Sequence, residues 1–173
     1  MNRRGRLAKN KEPAERPDAW EAAVKLLAMR ALSTQELRQR LLRRGYPPPE
    51  IDAVLARLRA SRYLDDAEYA RAWARTRAHR RSLGPARLAN ELRARGIADA
   101  EISNALDEAF AGTSAREVAE AAATRKLKGL RGLAQAVARR RLAAHLTRLG
   151  FAVEIVLALC RKHFPHGDES NDQ

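Results

Sequence analysis

The chain has 173 residues, and Ala, Arg and Leu together supply about half of them. All three are good helix formers, whereas aromatic residues make up 5% of the chain. Because strands favour aromatic and β-branched residues, which are sparse here, the composition excludes a large β core. It predicts an all-α protein.

The charge is strongly basic, with 34 Lys and Arg against 21 Asp and Glu, which leaves +13. Such a chain is expected to bind a polyanion, or a protein that carries one. Residues 111–164 alone hold +8 of this excess. Codon bias in a GC-rich genome is the alternative explanation for the abundance of Arg and Ala, and it would imply no binding role.

The sequence predicts a cytoplasmic location. Cys160 is the single cysteine, so it cannot close an intramolecular disulfide, and it lacks the spaced partners of a zinc site. The polar, basic N-terminus has no apolar stretch behind it and does not resemble a signal peptide. No run approaches the roughly 20 apolar residues that cross a bilayer, so no membrane contact is expected.

The two ends of the chain are predicted to be unstructured. Residues 1–18 read as a disordered basic arm, because they carry two prolines and little that could be buried. Residues 165–173 read as a flexible acidic tail with a charge of −3.

The region between these ends contains an internal repeat. Shifting the sequence by 51 residues superposes Leu37 on Leu88, Leu41 on Leu92, Gly45 on Gly96, Ile51 on Ile102, and Leu55 on Leu106. A third copy, one residue shorter in its turn, has Leu142, Leu146, Gly150, Ile155 and Leu159 in the same places. We therefore predict three tandem three-helix repeats, at 19–66, 67–110 and 111–164.

Apolar residues recur at helical spacing within each repeat. In chain order, the predicted helices are 19–31, 34–44 and 49–61, then 66–81, 85–95 and 100–110, then 115–128, 133–149 and 153–164. Three pairs have the spacing of a capping box, in which two side chains satisfy each other's backbone N–H groups: Ser33 with Glu36, Asp65 with Glu68, and Ser114 with Glu117. Gly45, Gly96 and Gly150 are predicted left-handed helix ends.

Tyr69 and Trp73 stand one helical turn apart in the predicted helix 66–81. Such a pair can stack on nucleic-acid bases. Beside Ala70, however, this spacing is more typical of side chains that pack within the protein, and we favour that interpretation.

The sequence shows no catalytic constellation. It lacks a phosphate-binding GxxxxGK[ST] motif, and the Gly-x-x-Gly turn at 129–132 has no Lys-Ser/Thr after it. His163 and His166 would need two further ligands to hold a metal. We therefore predict that the protein is not an enzyme and carries no cofactor or metal.

Two groups of cations are the candidate binding residues for a partner or DNA. The first lies in the predicted helix 66–81 and consists of Arg75, Arg77, Arg80 and Arg81. The second lies in the third repeat and consists of Arg125, Lys126, Lys128, Arg139, Arg140, Arg141 and Arg148. Such side chains contact phosphates without reading base sequence, and a merely solvated face is the alternative. In the run 139–141, one stem is expected to pack while the others face water.

In its repeats, helix caps and sequence motifs, the chain resembles the RecX family of recombination regulators over about residues 19–164. The residues that carry the resemblance are MRALSTQEL (29–37), LLRRGY (41–46), YLDDAEYARAW (63–73), LGPARLANELRARGI (83–97) and HLTRLGF (145–151). Arg62 stands where the family usually has glycine before Tyr-Leu-Asp-Asp. If that backbone is left-handed, arginine there costs on the order of 1 kcal/mol.

The resemblance implies an elongated, curved helical body that lies in the groove of the RecA filament on single-stranded DNA. It also implies a monomeric negative regulator that inhibits strand exchange, ATP hydrolysis and coprotease function without catalysis of its own. The alternative is a stand-alone DNA-binding protein of helix-turn-helix or nucleoid type. Against this alternative, the turn at Gly45 is followed by three prolines at 47–49, unlike the tight turn that presents a recognition helix.

Overall fold

The computed structural model describes residues 17–165, in which all the regular secondary structure is helical and no strand is present. All nine predicted helices are present there. Their bounds are α1 Ala19–Met29, α2 Thr34–Arg43, α3 Pro48–Ala60, α4 Asp66–Arg81, α5 Pro85–Arg93, α6 Asp99–Ala111, α7 Ala115–Lys128, α8 Gln135–Leu149 and α9 Val153–His163. Apart from Pro17, Asp18 and Pro165, the predicted arm 1–18 and tail 165–173 lie outside the described residues.

Helices α1, α5 and α8 are each two residues shorter than predicted, and α2 and α9 are each one residue shorter. The bounds of α1 and α8 have clear local reasons. The first ends at Met29 rather than at 31, because Arg30 is extended, with φ −168°, and turns the following residues inward. This turn buries Leu32 and Ser33. The eighth begins at Gln135 rather than at 133, because Gly132 has φ 80° and the Leu133 N–H donates to the Leu130 carbonyl in a preceding turn.

Two of the three predicted capping boxes form completely, at Ser33 with Glu36 and at Ser114 with Glu117. The third forms only in part. The Asp65 carboxylate accepts from the Glu68 N–H at 2.9 Å, but the Glu68 carboxylate pairs with Arg71 one turn later rather than with the cap. One cap hydrogen bond is therefore present where two were predicted.

Each set of three consecutive helices encloses its own apolar core, and we call these sets unit 1 (α1–α3), unit 2 (α4–α6) and unit 3 (α7–α9). The repeated leucines of the second helix of each unit are fully buried, namely Leu37, Leu41, Leu88, Leu92, Leu142 and Leu146. Burying one such side chain contributes roughly 1.5–3 kcal/mol. The sequence repeat is thus a repeat of core positions.

Neighbouring units meet through the same structural elements. At junction 1–2, the start of α2 contacts the turn between α5 and α6, where the Ser33 hydroxyl donates to the Arg95 carbonyl at 2.6 Å. At junction 2–3, the start of α5 contacts the turn between α8 and α9, where the Gly84 N–H donates to the Leu149 carbonyl at 2.7 Å. The units are therefore joined in series by one recurring arrangement.

The turns at these contacts have the predicted backbone. Gly45, Gly96 and Gly150 all have positive φ, between 76° and 87°. Arg62 is also left-handed, with φ 56°, so the condition under which arginine costs stability at this position is met. Ser82, at the end of α4, is a second non-glycine residue in this region, with φ 52°. None of the helices in residues 17–165 has the length and apolar character needed to span a membrane.

Candidate nucleic-acid and partner interface

Ala70, Ala74 and Ala78 form the buried face of α4. The candidate cations of this helix do not share one face, because Arg77, Arg80 and Arg81 line a common groove and Arg75 lies outside it. Three of them are exposed: Arg75, Arg80 and Arg81. Arg77 is half-buried, with its guanidinium 3.6 Å from the centre of the Trp73 ring and its Nε 3.6 Å from the Glu91 carboxylate. Its charge therefore also has a structural role.

Trp73 and Tyr69 are packed within the protein, as the helical spacing favoured. Their rings stack with centres 5.7 Å apart. The Tyr69 hydroxyl donates to Glu36 at 3.1 Å, and the indole N–H of Trp73 donates to Glu91 at 3.2 Å. The guanidinium groups of Arg77 and Arg95 both lie over the indole. Because these guanidinium groups cover the indole, Trp73 does not offer an open surface on which a nucleic-acid base could stack.

The hydrogen bond between Tyr69 and Glu36 joins units 1 and 2 and affects both titrations. Burial acts first on each group. It raises the pKa of the Tyr69 hydroxyl, and the Glu36 carboxylate raises it further. Burial also acts to raise the pKa of Glu36, but the hydrogen bonds from Ser33 and Tyr69, together with Arg30, bring it below its usual value. The carboxylate therefore stays charged and holds the junction.

In the run 139–141 one side chain packs against the protein and the other two face water, as expected. Arg139 is half-buried, while Arg140 and Arg141 are exposed. Cys160 packs beside this run and is buried. Burial raises the pKa of its thiol, and nearby Arg139 opposes that change, so the thiol is a packing group rather than a reactive one.

Three predicted cations of unit 3 converge on His145, which is half-buried in α8. The pKa of this imidazole is lowered first by burial and then by the positive charges of Lys126, Arg148 and Arg125. Arg125 also hydrogen-bonds the Ser82 hydroxyl at the end of α4. The third unit thus places its cations next to the end of the α4 strip.

Two further arginines, Arg87 and Arg95, belong to this region although sequence reasoning missed them. Together with Arg148 they line an open groove of about 520 Å³ between α5 and α8. The Arg87 guanidinium donates to the Arg148 carbonyl at 2.9 Å. The Glu91 carboxylate lies 3.6 Å from both Arg77 and Arg87, so it connects the groove to the α4 strip. Only the fold reveals this, since neither arginine belongs to a conspicuous basic run.

We call the connected cations the basic band: Arg77, Arg80, Arg81, Arg87, Arg95, Arg125, Lys126 and Arg148. The structure does not bring every predicted residue into it. Lys128 lines a separate groove with Arg131 and His163, Arg139 lies beside Cys160, and no described contact joins Arg75, Arg140 or Arg141 to the band. Within residues 17–165, no group of three or more His, Cys, Asp or Glu side chains is arranged to hold a metal.

Family models of known proteins match the first two of the three units. A family model described as the first three-helix domain of RecX matches residues 19–58, and one described as the second three-helix domain matches residues 65–106. The regulatory protein RecX of Pelodictyon phaeoclathratiforme is 33% identical over 154 residues, which cover 88% of this chain and 94% of that protein. RecX of Mycobacterium avium is 37% identical over 153 residues, covering 85% and 87%.

Solved structures show the same fold. A crystal structure of a regulatory protein RecX matches with a TM-score of 0.74 and 21% identity, over 85% of this chain and 71% of that one. RecX from Lactobacillus salivarius matches with a TM-score of 0.69 and 18% identity, over 83% and 93%.

Proposed function

Because this chain belongs to the RecX family of regulatory proteins, we propose that it is a negative regulator of the RecA recombinase. It binds the groove of the RecA filament on single-stranded DNA and inhibits strand exchange, ATP hydrolysis and coprotease function. It does so by docking, as a cytoplasmic monomer without catalysis of its own. The observation that supports this proposal is the basic band, which crosses junction 2–3 and draws on α4, α5, α7 and α8.

The charge of the band suits a nucleoprotein partner. Glu91 is shared between Arg77 and Arg87, whereas Arg80, Arg81 and Arg148 are exposed. Cations of this kind neutralise phosphates or surface carboxylates and release counterions, so the affinity they provide falls as salt rises. They also accelerate association with an oppositely charged partner. A protein that acts by docking needs such charged contacts and no catalytic groups.

The serial joining of the units supports the mode of binding. Three units linked by a recurring junction form an extended surface, and extended surfaces of repeat proteins contact several sites on a large partner at once. We therefore expect one molecule to bridge neighbouring RecA subunits in the filament groove.

The direct test is a titration of the wild-type protein into RecA ATPase and strand-exchange reactions on single-stranded DNA. We expect inhibition at or below one molecule per RecA subunit. Absence of inhibition at equal protein concentration would overturn the proposal. Tight, sequence-selective binding to naked duplex DNA would favour a stand-alone DNA-binding protein instead.

A charge reversal with a matched control tests the role of the band. Arg148 lies in the last turn of α8 and Arg59 in the last turn of α3, so their helix environments are similar, and both are exposed. Arg148→Glu is expected to weaken inhibition at least fivefold, whereas Arg59→Glu leaves it within twofold. Equal effects would show that net charge, and not the band, determines inhibition.

A further inference from the structure

We propose that the groove between α1 and α4 binds a polypeptide segment of the recombinase: an amphipathic helix with an apolar end and an acidic end. This α1–α4 groove consists of two open depressions of about 490 and 410 Å³. They share Ala31, Tyr69 and Ala72 as lining residues, so they form one continuous groove at junction 1–2. The proposal rests on the proposed function and adds the kind of RecA surface that is recognised.

One half of the groove is apolar. Val24, Leu27 and Ala28 of α1 face Tyr63 across it. Val24 is 38% exposed and Tyr63 is 67% exposed, which is high for large apolar side chains in a shared depression. Single exposed apolar residues are normal, but several that converge in one groove mark an interaction site.

The other half of the groove is cationic. Arg77, Arg80 and Arg81 line it at the C-terminal end of α4. At the apolar half the charges balance, because Asp65 and Glu68 line it together with Arg62, and Glu68 pairs with Arg71. The net positive charge of the groove is therefore concentrated at the C-terminal end of α4.

These features fit a helix better than a nucleic acid. A phosphate backbone would match the arginines but would meet apolar side chains and two carboxylates at the other end. An amphipathic helix can bury its apolar residues in such a groove. The distance along α4 from Glu68 to Arg81 is about 20 Å, at about 1.5 Å per residue, which is the length of three to four helical turns.

The cationic end of the groove also sets the orientation of the bound helix. A helix carries partial positive charge at its N-terminus and partial negative charge at its C-terminus. Its acidic C-terminal end is favoured beside Arg80 and Arg81, which leaves its N-terminal end near the start of α4. The bound helix therefore runs parallel to α4.

The test measures binding to two probes, a labelled single-stranded oligonucleotide and the same oligonucleotide coated with RecA. Ala28→Glu places a charge in the apolar half of the groove, at an exposed position in the last turn of α1. Ala111→Glu, at the exposed last residue of α6, is the matched control outside the groove. Val24→Glu is a second groove variant, and circular dichroism verifies that each variant is folded.

We expect Ala28→Glu and Val24→Glu to weaken binding to the RecA-coated strand at least tenfold, with binding to the naked strand within twofold of wild type. Ala111→Glu leaves both unchanged. The inference would be overturned if the groove variants bound both probes as well as Ala111→Glu does, or if their binding to both probes weakened equally. Inhibition by the wild-type protein would still support the proposed function in either case. A wild-type protein that neither binds the coated strand nor inhibits RecA would overturn both.

Discussion

The two junctions occupy equivalent positions in the repeat but are held by different groups. At junction 1–2 the contacts come from side chains. The Ser33 hydroxyl donates to the Arg95 carbonyl, the Asp66 carboxylate accepts from the Thr34 N–H at 2.8 Å, and Tyr69 bonds Glu36.

At junction 2–3 the closest contacts are between backbone groups, and the side chains of Arg87 and Arg125 add hydrogen bonds to the Arg148 carbonyl and the Ser82 hydroxyl. Gly84 occupies the repeat position of Ser33, and the N–H groups of Gly84 and Ala86 donate to carbonyls of the α8–α9 turn at 2.7 and 3.2 Å. A Cβ at Gly84 would lie 2.5 Å from the Gly150 carbonyl carbon and 2.7 Å from the Phe151 nitrogen. Glycine therefore allows an approach that no other residue would.

The surroundings of the junctions differ as well. The α1–α4 groove, with its apolar half, lies at junction 1–2, whereas the cations around His145 and the α5–α8 groove lie at junction 2–3. The same repeat architecture therefore presents two surfaces of different chemistry. Repeat position determines where units meet, and the side chains around each junction determine what a partner encounters there.

The largest expected effect is on junction 2–3. Gly84→Ala forces its Cβ against backbone atoms that cannot rotate away, and we expect a loss of about 2–3 kcal/mol in the free energy of unfolding. The measurement is urea denaturation. Gly112→Ala is the control, because its Cβ meets nothing within 4 Å and its φ is −91°. Equal stabilities for the two variants would refute the close backbone approach.

The second effect concerns junction 1–2. Ser33→Ala removes both the cap of α2 and the hydrogen bond to Arg95, so we expect a loss of about 2 kcal/mol. Ser114→Ala removes the equivalent cap of α7 but no described bond between units, and its expected cost is about 1 kcal/mol. Urea denaturation compares them. If both cost the same, the Ser33 hydroxyl contributes nothing across the junction.

A smaller effect is expected from the two left-handed residues. Arg62→Gly relieves a positive φ and is expected to raise the free energy of unfolding by up to about 1 kcal/mol. Ser82→Gly relieves a similar backbone but also removes the hydroxyl that bonds Arg125, so its gain is smaller or negative. Thermal and urea unfolding measure both. A larger gain for Ser82→Gly would contradict the role of that bond at junction 2–3.

The smallest effect is a pH dependence from His145. Its pKa is lowered in the folded protein by burial and then by Lys126, Arg148 and Arg125. The unfolded chain therefore binds the proton more readily, and stability is lost as pH falls below the ordinary value of 6.5. His145→Gln removes this contribution, so the difference between wild type and variant changes between pH 8 and pH 5.5. A difference independent of pH would contradict the lowered pKa of His145.

Much of the fold could be predicted because its determinants are local or periodic. The leucines and glycines that recur at a shift of 51 are core residues and left-handed turns, and Ser33 and Ser114 form the predicted caps. The Asp65 cap is incomplete because Arg71, one turn away, offers Glu68 a cation instead. Local spacing does not determine which of two nearby partners a carboxylate selects.

The site could be predicted only in part, because its assembly depends on contacts between units. Arg80 and Arg81 form a basic run in the sequence, and Arg148 follows the run 139–141 by two helical turns. Arg87 and Arg95 were missed, since they join the band only when α5 packs against the α8–α9 turn. Conversely, Arg77 resembles a free cation in the sequence, although it lies on Trp73 and pairs with Glu91.

The most direct test of the basic band is the salt dependence of binding to RecA-coated single-stranded DNA. Arg125→Glu with Arg148→Glu changes two exposed band residues in the last turns of α7 and α8, and Arg43→Glu with Arg59→Glu changes two exposed arginines in the last turns of α2 and α3. A lost phosphate contact reduces the slope of log K against log salt by about one. We predict a slope shallower by about two for the band variant alone; equal slopes for both variants would contradict the central claim.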